Sequence, residues 1–298
     1  MTDSPSLFSR QRVLEDLRVL GFRFQEKRGQ NFLFDSNLLE ALVRDSGIQA
    51  GDRILEVGPG AGTLTRVLLD LGCQVTSIEI DPLLCQYLRD RFDRPEFQLI
   101  EGDVLATKNR LSERLLADLD RRLAEGQPRG FHLVANLPYS IASPLVAMLV
   151  AQREDLESIG VLVQREMARR WVAPPGGREY GTTSVLLALT GHGKISRAVP
   201  ASVFVPAPRV ESSFFTWTRD GDLDPLPGGL VKLVRHCFQF RRKTLGKILR
   251  EQLPAEDFWW QQQGVGTSIR PDQMTPKQWA SLAQRFDSEA VSWLSHDE

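Results

Sequence analysis

Three glycines and a few polar side chains carry the chemistry that this sequence makes legible. In residues 54–65, ILEVGPGAGTLT, an apolar run enters Gly58, Gly60 and Gly62, and a helix-forming run follows. Glycine permits a tight turn and close approach of backbone to a ligand. An ordinary turn would use the same residues, so the partners matter. Glu79 closes the next apolar run, 21 residues after Gly58. An acid there is placed to accept hydrogen bonds from ribose hydroxyls. The spacing is GxGxG, with Glu56 two residues ahead of it, and Thr63 stands where a dinucleotide fingerprint has its third glycine. No lysine follows as in a phosphate-binding P-loop, and no cation lies in the turn to neutralise a pyrophosphate. The pattern favours a phosphate-free adenosine ligand, S-adenosyl-L-methionine. Asp103, in EGDVL, could accept from the adenine amine or cap a helix before Val104.

A second grouping is Asn136-Leu137-Pro138-Tyr139. An exocyclic adenine amine is a poor nucleophile because its lone pair is delocalised into the ring. The Asn136 amide oxygen and a backbone carbonyl of Leu137-Pro138 can accept its two hydrogens and bias the nitrogen towards tetrahedral geometry. Tyr139 would stack on a base drawn out of its helix. No strong base is required, since the methylated product can lose its proton afterwards. The competing reading is a plain strand-end turn.

The elements needed to position these groups follow from periodicity. Apolar strands are expected at 53–57, 74–79, 97–100, 132–135 and 158–164, with helices at 64–71, 82–91 and 144–151 between them. Asp81 reads as the cap and Pro82 as the first-turn residue of the helix at 82–91. Strands alternating with helices of this length imply a parallel, doubly wound α/β sheet. Ligands of such sheets bind beyond the carboxyl ends of the strands, where Gly58, Glu79, Asp103 and Asn136 all fall. Ahead of the sheet, residues 10–20 have helical spacing and Ser36 is a plausible cap for a helix at 36–45. The charged segment 111–123 reads as a solvated helix on the sheet's flank. Residues 220–229, DGDLDPLPGG, form a linker, beyond which 230–253 and 276–286 look helical. Three domains are expected: an arm over 1–30, a Rossmann-like class I methyltransferase sheet over 31–219, and a small C-terminal helical domain over 220–298.

The chain has 298 residues, 42% of them hydrophobic and 25% charged. That argues against disorder and fibrous repeats. Three widely spaced cysteines and four histidines offer no zinc-ligand spacing, so neither a metal nor a disulfide framework is expected. Reduced thiols fit the cytoplasm. No apolar run approaches membrane-spanning length, and no secretory signal is read at the start. The 37 basic residues are offset by 38 acidic ones, which at first disfavours a nucleic-acid partner. The cations are unevenly spread, however. Arg235, Arg241, Arg242, Lys243, Lys247 and Arg250 fall within 16 residues that contain no acid. A second cluster runs from Arg10 to Arg28 and a third comprises Arg165, Arg169 and Arg170. Such runs usually mark solvated helix faces. Phe238, Phe240, Leu245 and Ile248 are expected to anchor the first to a core.

In ordered succession the chain carries KRGQNFL (27–33), LEVGPGAGTLT (55–65), IEID (78–81), GDVL (102–105) and NLPYSIASPL (136–145). QREMARR (164–170), REYGTTSVL (178–186), FVPAPRVESS (204–213), RRKTL (241–245) and RPDQMTPKQWASLA (270–283) follow. Together these resemble the KsgA/RsmA family of small-subunit rRNA adenine N6-dimethyltransferases, related to the Dim and Erm enzymes, from about Lys27 to Phe286. The last two motifs favour the rRNA dimethylase branch over the Erm resistance enzymes.

The resemblance implies cofactor contacts at Asn31, Leu33, Gly58, Gly60, Glu79, Asp103 and Asn136. It implies catalytic roles for Asn136, Leu137, Pro138 and Tyr139, and for Phe204 as a second aromatic opposite Tyr139. Residue reading alone would make Phe204 a core residue between prolines and GQNFL a loop before a helix. The resemblance also turns Arg241, Arg242, Lys243 and Lys247 into expected phosphate contacts. It implies dimethylation of two adjacent adenosines in a hairpin loop near the 3′ end of 16S rRNA, within an immature 30S particle, by a monomer in the cytoplasm. Two departures are the long stretch from Asp103 to Asn136 and the extra N-terminal residues. A non-catalytic assembly or transcription factor on the same fold is the alternative. An NAD-linked oxidoreductase is disfavoured by Thr63.

Overall fold

A computed structural model describes residues 8–25, 28–107, 109–124, 130–221 and 225–287. Residues 1–7 of the expected arm, Lys27 of KRGQNFL and residues 288–298 lie outside them. The chain forms two compact units. One comprises 1–149, 155–168 and 194–218; the other comprises 150–154, 169–193 and 219–298.

The first unit is built on a sheet whose seven strands are β1 (Arg53–Val57), β2 (Gln74–Glu79), β3 (Phe97–Glu101), β4 (Phe131–Asn136), β5 (Leu156–Gln164), β6 (Gly191–Val199) and β7 (Ser212–Arg219). Their spatial order is β3-β2-β1-β4-β5-β7-β6. β1 is parallel to β2 and β4, β2 to β3, and β4 to β5. The five strands read from sequence are all present. The two not foreseen are β6 and β7. β6 exposes seven of its nine residues, so it lacks the apolar run of a covered strand. β7 lies antiparallel on β5, from Ser212 beside Gln164 to Thr218 beside Ser158.

Helices fill the crossovers. They are α1 (Arg10–Val19), α2 (Ser36–Asp45), α3 (Thr63–Asp70), α4 (Pro82–Arg91), α5 (Glu113–Ala124) and α6 (Tyr139–Gln152). Asp81 caps α4 as expected, its carboxylate accepting from the Leu83 N–H at 3.0 Å. Asp35, and not Ser36, caps α2, accepting from the Leu38 N–H at 3.1 Å. α6 begins at Tyr139, well before Pro144, which it tolerates within its second turn. α5 is not wholly solvated: Leu115 and Leu119 are buried on one face.

The expected arm is no separate domain. Val13 and Leu17 of α1 are buried with Phe22, Phe32, Ala61, Leu84 and Tyr87 in one apolar cluster. Burying side chains of this kind yields roughly 1.5–3 kcal/mol each, which is enough to fix the segment against the sheet unit. A larger cluster joins Leu39 and Leu42 of α2 with Leu64 and Leu68 of α3, Ile54 and Val75.

The second unit is helical. α7 (Arg165–Trp171) leads into it, followed by α8 (Thr182–Thr190), α9 (Leu230–Gln239), α10 (Leu245–Ile248), α11 (Phe258–Gln262) and α12 (Pro276–Asp287). α8 packs with α9 and α12, so this unit draws on residues 169–193 and does not begin at 220. The expected helix over 230–253 is two helices with a turn between. Phe240 closes α9 by donating to the Cys237 carbonyl at 3.1 Å. α10 is held by a turn over residues 266–269: Leu245 and Gly246 donate to the carbonyls of Ile269 (2.7 Å) and Thr267 (3.0 Å). Continuing α9 would break both bonds.

Candidate active site

The glycine turn closes because its residues can reach left-handed backbone angles. Gly60 has φ +57° and Gly62 φ +73°. A Cβ on Gly60 would lie 2.8 Å from a ring carbon of Phe32, and one on Gly62 would lie 2.5 Å from Phe92. The turn therefore lets aromatic rings seat directly on backbone. Thr63, the residue that broke the dinucleotide pattern, donates its hydroxyl to the Leu33 carbonyl at 2.8 Å. It ties the GQNFL segment to the start of α3.

This turn, segment 28–33 and the ends of β1, β2 and β4 enclose a cavity of about 240 Å3. All seven expected cofactor residues line it: Asn31, Leu33, Gly58, Gly60, Glu79, Asp103 and Asn136. Glu79 accepts the Gly60 N–H at 3.2 Å and the Asp81 N–H at 2.9 Å. A carboxylate offers about four acceptor positions, so capacity remains for hydroxyls. Burial pushes its pKa up despite these bonds. Asp103 accepts the Leu105 N–H at 2.9 Å. That is a local turn and not the helix cap considered above, because a short strand (Leu105–Thr107) follows.

Asn136 sits at the end of β4, and its amide nitrogen donates to the backbone carbonyl of Asn31 at 2.8 Å. A carbonyl can only accept, so this contact fixes which end of the amide is which. The Oδ1 atom remains as an acceptor. Asn31 in turn donates its amide to the Gly29 carbonyl at 3.1 Å. Pro138 lines the cavity, whereas Leu137 does not and is buried at 1% exposure. Tyr139 is held by a hydrogen bond of 2.9 Å shared with the Ser212 hydroxyl.

Three residues were missed by sequence reading as members of the site. Glu56 lines the cavity and is buried, with Thr65 and Ser77 donating to one oxygen at 2.6 and 2.7 Å. Burial, partly offset by those bonds, pushes its pKa up to about 7. Ile80 also lines the cavity; it follows the ribose-accepting position, which is the signal that could have found it. Ser212 was visible only as the end of FVPAPRVES. Among the described residues no group of three or more metal-ligating side chains exists.

Comparison with known proteins matches residues 21–288 to the family model for ribosomal RNA adenine dimethylase. The chain belongs to this family. It is similar to Ribosomal RNA small subunit methyltransferase A of Shouchella clausii, with 34% identity covering 91% of this chain and 93% of the relative. The protein of the same name from Bifidobacterium longum subsp. infantis is 34% identical over 88% of each chain. A solved dimethyladenosine transferase from Plasmodium falciparum shares the fold, with TM-score 0.66 and 22% identity over 87% of this chain and 98% of that one. The 23S rRNA methyltransferase ErmE superposes with TM-score 0.60 and 25% identity, covering 86% of this chain and all of that one.

In this rRNA adenine dimethyltransferase, two of the expected site residues are engaged in the protein's own packing. Phe204 is 2% exposed and packs in the cluster with Leu33, Leu39 and Leu42. It pairs in a short ladder with Leu33. Its ring is therefore covered by that cluster. Arg241 is likewise committed within its own unit. It donates to the carbonyls of Tyr180 and, at 2.8 Å, Gly177, and lies over the Phe238 ring. Arg242, Lys243 and Lys247 are exposed, with Arg250 beside them. Of the intended anchors, Leu245 is buried and Phe238 partly so, but Phe240 is exposed.

Proposed function

We propose that this dimethylase uses S-adenosyl-L-methionine to dimethylate N6 of two adjacent adenosines in a hairpin loop near the 3′ end of 16S rRNA. We place that reaction within an immature 30S particle, in the cytoplasm, with the protein acting as a monomer. No helix among the described residues is long and apolar enough to cross a membrane.

The cavity fits the cofactor on the chemistry of its walls. Glu56, Glu79 and Asp103 line it. Arg28, the cation in the wall, is turned to Asp81 at 2.7 Å. Such a lining suits a cationic ligand without phosphates. Glu79 would hold the ribose hydroxyls, Asp103 the adenine edge, and Gly58 and Gly60 the close backbone approach. Asn31 and Leu33 would form the opposite wall. The cofactor, when bound, supplies an electrophilic methyl group.

The observation that carries the proposal is the bond from Asn136 to the Asn31 carbonyl. It leaves Asn136 Oδ1 to accept one amine hydrogen of the target adenine. The backbone carbonyl of Leu137 or Pro138 would accept the second. Two acceptors draw the amine towards tetrahedral geometry and expose its lone pair. Tyr139 supplies the stacking face. Exposed Arg242, Lys243 and Lys247 take the phosphates.

Asn136→Ala is expected to abolish methyl transfer to unmethylated small subunits while cofactor binding by calorimetry persists. Near-normal transfer would overturn the role given to Asn136.

A further inference from the structure

We infer that Phe240 is a stacking platform for an unpaired base of the RNA substrate, set among the cations that hold its phosphates. The inference rests on the reading that the exposed cations of the second unit contact RNA. Helix α9 buries Leu230, Leu233, Val234 and Cys237 on its inner side. Phe238 joins that interior through ring contacts with Tyr180 and Trp279. Phe240 does not; the residue is 38% exposed although it carries a large apolar ring.

The ring is nevertheless held on a fixed frame. Its own N–H bonds to the Cys237 carbonyl at 3.1 Å, and its carbonyl accepts the Lys243 N–H at 2.7 Å. The Lys243 ammonium lies 4.9 Å from the ring centre, and the His236 ring meets it edge-on at 5.5 Å. Arg242, Lys243 and Lys247 follow it within seven residues and are exposed, and the chain from Leu230 to Arg250 contains no acid. An exposed aromatic ring within an acid-free basic stretch complements a polyanion that carries flat rings. Base stacking on such a ring is tolerant of sequence because every base has a π face, and it complements phosphate contacts.

The test is binding of the full-length protein to unmethylated small subunits across a range of salt concentrations. Phe240→Ala should weaken binding about tenfold and leave the salt slope unchanged, because no charge is lost. Phe240→Trp should restore binding, and Phe240→Leu should not. Thermal midpoints of all three should match the parent, since the ring is outside the core. Wild-type binding by Phe240→Leu would overturn the inference, because it would mean apolar contact with a ribosomal protein. So would wild-type binding by Phe240→Ala alongside a weakened Arg242→Glu/Lys247→Glu variant. If that charge-reversed variant also binds normally with an unchanged salt slope, the RNA-contacting face itself fails, and the inference with it.

Discussion

Two side chains of the Asn136–Tyr139 segment are each oriented by one hydrogen bond from a distant part of the chain. The Asn31 carbonyl holds Asn136, and the Ser212 hydroxyl holds Tyr139. Neither pairing could be read from sequence, because residues 105 and 73 positions apart meet only through the fold. The Ser212 bond has a measurable consequence. Ser212→Ala and Tyr139→Phe each remove it, so each should reduce methyl transfer about three- to tenfold, in line with one modest hydrogen bond. The double variant should lose no more than either single one. Losses in rate that add would show that the bond is not what positions the ring.

Glu56 yields a prediction in pH. Its folded-state pKa, raised to about 7, lies above the ordinary carboxylate range, so the native protein holds the proton more tightly than the unfolded chain does. Its contribution is fully present below about pH 4.5 and is lost as pH rises to about 7, a change of roughly 3 kcal/mol. Glu56→Gln keeps an acceptor for Thr65 and Ser77 without titrating. The stability of the variant relative to the parent should therefore climb between pH 4.5 and 7.5 in urea unfolding of the cofactor-free protein. A difference that stays constant across that range would contradict the assignment.

Among the elements, the glycine turn shows what can and cannot be read ahead of a structure. Its position and its acidic partner Glu79 were legible because strand, turn and helix are local in sequence. The reason for glycine at position 60 was not, since the atoms that forbid a Cβ belong to Phe32, 28 residues earlier. Gly60→Ala should cost more than the roughly 1–2 kcal/mol of a left-handed alanine, because Phe32 must also move. Gly21→Ala, at φ +75° with open space around it, should cost only the backbone part. Equal losses of thermal stability would deny the packing role. β6 escaped notice for the opposite reason: an edge strand with seven exposed residues carries little apolar signal. Helix 230–253 was overread because its apolar spacing continues past Gln239, while the carbonyls of Thr267 and Ile269 capture the chain at 245–246.

For the whole molecule, net charge is a poor guide and charge placement a better one. A sum of −1 conceals an acid-free basic stretch, yet even that stretch divides into two kinds of cation. Arg241 clasps two backbone carbonyls, so Arg241→Ala should destabilise the protein by about 2 kcal/mol. Arg242→Glu with Lys247→Glu should instead leave stability intact and flatten the salt dependence of subunit binding. The reverse pattern would exchange their roles. Residues 169–193 belong to the second unit, although nothing local in their sequence assigns them to it. The central claim, that this chain dimethylates rRNA adenines through Asn136, is tested most directly by mass mapping of adenines in small-subunit rRNA from cells lacking the protein. Two adjacent dimethyladenosines should be missing there, restored by the parent gene and not by Asn136→Ala. Dimethyladenosines that persist in its absence, or that return with the Asn136→Ala variant, would contradict it.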